Sequence, residues 1–277
     1  MTEFVEVADR VWVARYEWVD ANIIAVGGER GLIVIDTHGS TAAGRVVLED
    51  LGRLGVGKVT HVVNSHWHWD HTFGNEAFRE AVRDVPIHAH EEAALWLASH
   101  GERMKQRFAD DPDDAHRAEV VATEIVIPDQ TFVHSKELDL GDRLVELAFL
   151  GRGHTSGDIV VRVADVNVVS AADLIEESAK PWIGLDSFPL EWATTLDALL
   201  ELMTGQTLVI PGHGAVVNST FVRTQRDEIA HIAQTIRTLA ELGVLADRAL
   251  LDGEWPWEAD ERIRNAITRG YEALSIG

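Results

Sequence analysis

The 277-residue chain contains no cysteine. That excludes a disulfide framework, a thiolate metal ligand and a cysteine nucleophile. Tyrosine is nearly as scarce. Tyr16 and Tyr271 are the two present, so a phenol donor is hard to place beside any site. Positive charge is also short: 24 Lys and Arg face 46 Asp and Glu, a formal charge of -22. This argues against a nucleic-acid or anionic-membrane surface. No apolar run approaches the roughly 18–20 residues of a membrane span. The start, Met1-Thr2-Glu3-Phe4-Val5-Glu6, lacks the basic region and apolar core of a signal peptide. A soluble, cytoplasmic protein is expected. With 46% hydrophobic residues, the chain can bury a full core.

What is present is histidine, concentrated in Asn64-Ser65-His66-Trp67-His68-Trp69-Asp70-His71. Imidazole and carboxylate are the side chains that bind zinc or a similar borderline metal. His66 and His68 are two apart. On a helix they diverge, but on an extended turn they point the same way and can share one ion. Asp70 and His71 are adjacent and cannot easily reach the same point, so they can serve a second ion nearby. The helical zinc-protease pattern, with two histidines four apart, is absent. The spacing therefore predicts a loop-borne, two-metal site rather than an adventitious His- and Trp-rich surface loop.

The flanking chain reads as alternating strands and helices. Short strands are expected at Phe4–Val7, Val11–Ala14, Asn22–Val26 and Leu32–Ile35, with a hairpin loop over Gly27–Gly31. Asp36 ends the last of these. It is either a turn or cap partner for the next helix or the acceptor for a ligand imidazole. A helix over Thr41–Leu54 is stopped by Gly55 and Gly57. The Val59–Asn64 strand leads into the histidine loop, and a strand at Pro86–Ala89 precedes a helix from Glu91 towards His100. His88 and His90 lack the context of ligands. Residues 101–124, with Asp110-Asp111-Pro112-Asp113-Asp114 inside, read as a solvated face or mobile loop in preference to a lid.

Strand structure restarts at Thr131–His134, turns at Leu138–Gly141 and continues over Arg143–Leu150. Gly151-Arg152-Gly153-His154-Thr155-Ser156-Gly157-Asp158 follows. Glycines allow the sharp turn that a ligand histidine at a strand end requires, and beside His66 and His68, His154 becomes a third nitrogen donor. A hairpin of Ile159–Val163 and Val166–Ser170 delivers Asp173 just past a buried strand, as either a metal bridge or a helix N-cap. Pro181–Asp186 reads as a loop, Leu190–Met203 as a helix and Thr207–Ile210 as a strand. That strand ends in Pro211-Gly212-His213-Gly214, a second glycine-framed histidine. Helices are expected over 220–246 and 258–274. No low-complexity linker divides the chain. The expectation is one domain over 1–277, made of two similar α/β halves with metals at their seam and C-terminal helices from about 220.

These residues together resemble the metallo-β-lactamase-fold hydrolase superfamily, over roughly residues 20–215. The match rests on Asp36, His66-Trp67-His68-Trp69-Asp70-His71, His154 in Gly-His-Thr-Ser-Gly, Asp173, and His213 in Pro-Gly-His-Gly. The resemblance implies a four-layer αβ/βα sandwich with the site at one edge. It implies a first metal on His66, His68 and His154, a second on Asp70, His71 and His213, Asp173 bridging, and Asp36 supporting the loop. Asp173 is similar to the glyoxalase II and lactonase branches, since the best-known β-lactamases carry a cysteine there. Ala172 stands where the family usually has glycine.

The chemistry so implied is hydrolysis of an ester, thioester, lactone or amide by a metal-bound hydroxide, with two zinc ions and Asp70 also passing a proton. Iron and manganese are alternative metals. Weak β-lactam turnover is compatible with it. The same fold also hosts iron dioxygenases and di-iron oxidoreductases, and a metal-binding scaffold without turnover is a third reading. A small-molecule substrate is expected. Trp67, Trp69 and Trp182 are either an apolar wall or core. Lys180 and Arg152, the cations nearest the motifs in sequence, are the candidates for holding a substrate carboxylate. Oligomeric state is not legible.

Overall fold

The computed structural model describes residues 2–275. Strands β1 (Val5–Ala8) and β2 (Val11–Tyr16) lead into the hairpin of β3 (Ala21–Gly28) and β4 (Gly31–Ile35). Helix α1 (Thr41–Leu54) has its expected bounds. The Ser40 hydroxyl accepts from the Ala43 N–H at its start, and Gly55 at φ 68 ends it. Then come β5 (Val59–Val63), α2 (Trp69–Thr72), α3 (Asn75–Ala81), β6 (Ile87–His90), α4 (Glu91–Asp110), α5 (Arg117–Ala122) and β7 (Gln130–Phe132). The second half holds β8 (Ser135–Asp139), β9 (Leu144–Phe149), β10 (Ile159–Val163), β11 (Val168–Glu176), α6 (Trp192–Glu201), β12 (Leu208–His213) and β13 (Val217–Asn218). It closes with α7 (Ser219–Glu241), α8 (Ala246–Asp252) and α9 (Glu261–Ser275).

The strands pair in the order β7-β6-β5-β4-β3-β12-β11-β10-β9-β8. β4 to β7 run parallel, as do β11 and β12, and helices make their crossovers. The two halves meet where β12 pairs with β3 through His213 opposite Ala21.

Side-chain alternation along the strands builds four layers. Ile24, Val26, Ile33 and Ile35 point inward and pack against Leu147, Ile159, Val161 and Ile210 of the second half. Their neighbours Ile23, Ala25, Leu32 and Val34 point outward onto Val47 and Leu51 of α1 and Phe78 of α3. On the other side Val160, Val169 and Val209 face Trp192 and Leu196 of α6, Ile229 and Ile232 of α7, and Ile263 of α9. This is the expected αβ/βα sandwich. Among the described residues no helix is long and apolar enough to cross a membrane.

Four expectations are corrected. The turn read at Leu138–Gly141 falls later, where Leu140 N–H donates to Arg143 O, and Leu138 is buried within β8. Its charged neighbours hid the alternation. The strand read at Thr131–His134 stops at Phe132, the end of β7, and Val133 and His134 bend the chain into β8. The helix read over 220–246 breaks at Gly243, which adopts φ 74. Segment 101–124 is not only a solvated face: α4 packs its inner side on the histidine loop, with Trp96 against Trp67 and Phe108 against Trp69.

Candidate metal centre

The candidate side chains gather at the carboxyl ends of β4, β5, β11 and β12. Asp36 follows β4 with a left-handed φ of 63. It accepts hydrogen bonds from the Ser65 N–H (2.7 Å), the Ser65 hydroxyl (2.8 Å) and His71 Nδ1 (2.9 Å). The helix cap is Ser40 instead, which decides the alternative left open for Asp36. His68 is extended (φ -61, ψ 152), and Asp70 and His71 lie in the helical turn of α2. Asp173 lies within β11 rather than past it, after Ala172 at φ 44 and a break in strand register. It caps no helix. A Cβ at Gly212 would sit 1.9 Å from Asp173 Oδ1, so glycine there is what lets this carboxylate reach the centre.

All seven residues converge. His154 Nε2 is 2.8 Å from His68 Nδ1, and His71 Nε2 is 3.3 Å from His213 Nε2. Asp173 lies between the two sets, with Oδ1 3.2 Å from His71 Nε2. Its Oδ2 is 3.3 Å from His213 Nε2, 3.4 Å from His154 Nε2 and 3.8 Å from His66 Nε2. Asp70 Oδ2 is 3.4 Å from His213 Nε2 and 3.5 Å from His71 Nε2. One donor group is His66, His68, His154 and Asp173, and another is Asp70, His71 and His213. Asp173, Glu176 and His213 form a third, overlapping group.

The opposite ring nitrogens are all engaged. His68 Nε2 donates to Asp186 (2.9 Å), His71 Nδ1 to Asp36, His154 Nδ1 to Trp182 O (3.1 Å) and His213 Nδ1 to Val19 O (2.7 Å). His66 Nδ1 meets the Ser65 hydroxyl at 3.1 Å. Such partners fix the tautomer that turns a lone pair towards the centre. His66 Nε2 and Asp173 Oδ1 are buried without a hydrogen-bond partner among the described residues, although buried polar atoms are ordinarily satisfied. The donor set, nitrogen and oxygen without sulfur, fits two borderline divalent ions.

The electrostatics divide the cluster. Burial lowers His154 to about 4 and drives His66 well down. Burial also acts against His213 and His71, but the Asp173 and Asp70 carboxylates outweigh it; His213 rises to about 10 and His71 well above its ordinary value. Asp173 is held low by His71 and His213 against its own burial. Burial and the nearby Asp173 charge raise Glu176 to about 7.

His88 pairs with His61 and His90 with Val133 O, away from the centre. Tyr16 donates to Asp50 and Tyr271 to Val244 O, so neither phenol serves the site. A cavity of about 980 Å³ opens over the cluster, and Trp67, Trp69 and Trp182 line it. Arg152 does not; it pairs with Glu191, while Lys180 lines the cavity paired to Glu228. Sequence reasoning missed Asp186, whose carboxylate accepts from both His68 and Trp67 Nε1. Nothing in its loop signals a partner some 118 positions away. Glu176 was not among the candidates either, since residues three apart on a regular strand face opposite sides; irregular register in β11 brings it to Asp173.

The sandwich and its edge-borne His/Asp cluster define a class of metal-site α/β proteins. The metallo-beta-lactamase superfamily profile matches residues 16–213, and the chain belongs to that superfamily. Over 202 residues it is 24% identical to a metallo-beta-lactamase type 2 of Bacillus cereus, covering 72% of this chain and 69% of that one. A metallo-beta-lactamase from Pontibacter korlensis superposes with a TM-score of 0.68 at 20% identity, over 83% of this chain and 99% of the other. The stereoselective inverting sec-alkylsulfatase Pisa1 from Pseudomonas sp. gives 0.78 at 18% identity, over 99% of this chain but 50% of its own.

Proposed function

We propose that this protein is a dinuclear metal-dependent hydrolase of small-molecule esters, thioesters, lactones or amides, with zinc as the metal. The carrying observation is the shared Asp173, set between two donor groups, together with the buried, unpartnered His66 Nε2 and Asp173 Oδ1. His66, His68 and His154 would hold one ion, Asp70, His71 and His213 the other, and Asp173 both. When bound, such ions activate water near neutral pH and polarise a carbonyl oxygen.

The chain's own residues do the rest. Asp70 lines the cavity and gives its carboxylate a second duty, accepting a proton from the attacking water and passing it to the leaving atom. Trp67 and Trp69 exclude bulk solvent from one side. Asp186, Asp36 and the carbonyls of Trp182 and Val19 keep the imidazoles aimed. The likeness to metallo-beta-lactamase type 2 supports a low β-lactam turnover as well.

The test measures metal per chain in protein made with zinc and with iron, then assays an ester, a thioester, a lactone, a chromogenic β-lactam and a secondary alkyl sulfate. Hydrolysis that tracks zinc content and is lost in His68→Ala and Asp173→Ala is expected. Full hydrolysis by metal-free protein, or oxidation in place of hydrolysis by the iron form, would overturn the reading.

A further inference from the structure

α4 presents one face to the cavity. Trp96, His100, Arg103 and Arg107 recur at spacings of four, three and four, and all four line it. Helical periodicity puts them in one row. The first end of the row is aromatic: Trp96 stacks on His100 and lies 5.7 Å from Trp67, the residue beside His68. The other end is cationic.

Among the described residues, neither Arg103 nor Arg107 makes an ion pair or a side-chain hydrogen bond. Both are exposed to solvent at the cavity's rim. The other cavity cations are occupied, Lys180 by Glu228 and Arg262 by Asp260. Nearby carboxylates do not turn to the arginines: Asp111 accepts from the Asp113 N–H and Asp114 from the His116 N–H. Glu261, also on the rim, lies beyond ion-pair distance of both. Two like charges four apart on a helix repel one another. The helix dipole favours Arg107 in the last turn but fades before Arg103. The folded chain therefore keeps two guanidiniums side by side at the rim of the cavity, neither held by a carboxylate at ion-pair distance.

Resting on the hydrolase reading above, we propose that the natural substrate carries a carboxylate at the end remote from the scissile bond. Arg103 and Arg107 hold that carboxylate. An apolar segment between the two ends lies along Trp96 and Phe108, both of which line the cavity. The guanidinium fork matches a carboxylate in a way an ammonium does not. The earlier candidate Arg152 is replaced in this role, being tied to Glu191 outside the cavity.

Two probes of equal chain length separate the ideas: the mono-4-nitrophenyl ester of suberic acid and the neutral 4-nitrophenyl octanoate. The zinc-loaded protein is expected to favour the charged ester in kcat/KM by about tenfold or more, a preference that falls with added salt. The Arg103→Gln/Arg107→Gln double variant should erase the preference through KM. Arg223→Gln, an exposed arginine on α7 outside the cavity, should leave it intact. In parallel, monoethyl suberate is titrated calorimetrically into the metal-free protein, and the double variant should bind it about tenfold more weakly. Equal kcat/KM for the two esters, or a preference and affinity indifferent to the double variant, would overturn the inference while leaving the hydrolase reading standing. Arginine-dependent binding with no turnover of either ester would support the inference and sink the hydrolase reading instead.

Discussion

Asp36 is buried behind the histidine loop, yet it is where that loop is most sensitive to a single change. Replacing it by alanine removes the acceptor for three hydrogen bonds of 2.7, 2.8 and 2.9 Å. The Ser65 hydroxyl can rotate its proton elsewhere while still accepting from His66 Nδ1, 3.1 Å away. The Ser65 backbone N–H and the His71 ring N–H have no such alternative, and both residues are buried. Hydrogen bonds to a charged group contribute roughly 1.5–3 kcal/mol each. Two orphaned donors thus cost about 3–6 kcal/mol. Alanine also tolerates the left-handed backbone at φ 63 less well than aspartate does. Water entering the space recovers part of this, so a loss of about 3–5 kcal/mol is expected, a large share of the roughly 5–15 kcal/mol that holds a domain folded. Urea unfolding of chelator-treated protein reads it free of any metal contribution. Zinc affinity, by competition with a chromogenic chelator, should fall about 10- to 100-fold because His71 loses its orientation. Asp36→Asn, which keeps one acceptor oxygen, should lose about half as much stability. An alanine variant within about 1 kcal/mol of the parent, with unchanged zinc affinity, would refute the reasoning.

Other outcomes follow from neighbouring geometry. Asp186→Ala removes Oδ2, the one oxygen that accepts from both His68 Nε2 and Trp67 Nε1, so one of the two ions should be lost at chelator concentrations about 10- to 100-fold lower; two equally retained ions would count against it. Ala172→Gly relieves a non-glycine residue at φ 44 and should be neutral or stabilising by up to about 1 kcal/mol in thermal unfolding, whereas a clear loss would contradict the strain. Burial lowers His88 to about 3 from its ordinary 6.5. The unfolded chain therefore takes up this proton first as pH falls, and stability drops below pH 6.5 at up to about 1.4 kcal/mol per pH unit. His88→Gln should flatten that acid limb, and identical slopes for variant and parent would exclude the contribution.

Much of this arrangement was legible because its signals are local. The two-residue step from His66 to His68 means convergence only on extended backbone, and the chain is extended there. The glycines around His213 could be read as turn-formers, and Gly212 proves to be where Asp173 needs room. The unbroken apolar runs Ile23–Val26 and Leu32–Ile35 suit strands buried on both faces. What escaped depends on contacts between distant segments. Asp186 reaches His68 from a loop without periodicity. The inward row on α4 did carry a helical signal, but the acidic run at 110–114 drew the reading towards solvent. Gly243 was outweighed by the helix formers around it, and the charged exposed residues of β8 concealed Leu138.

The pairing of His213 with Ala21 has a consequence for how the protein fails. One and the same rung ties the edges of the two halves together and aims a candidate ligand. Its loss would leave each half's outer core, α1 and α3 on one flank and α6, α7 and α9 on the other, without any direct disruption. The centre would come apart before the fold did, so a loosened molecule would look native by its helices while its donors no longer faced one another.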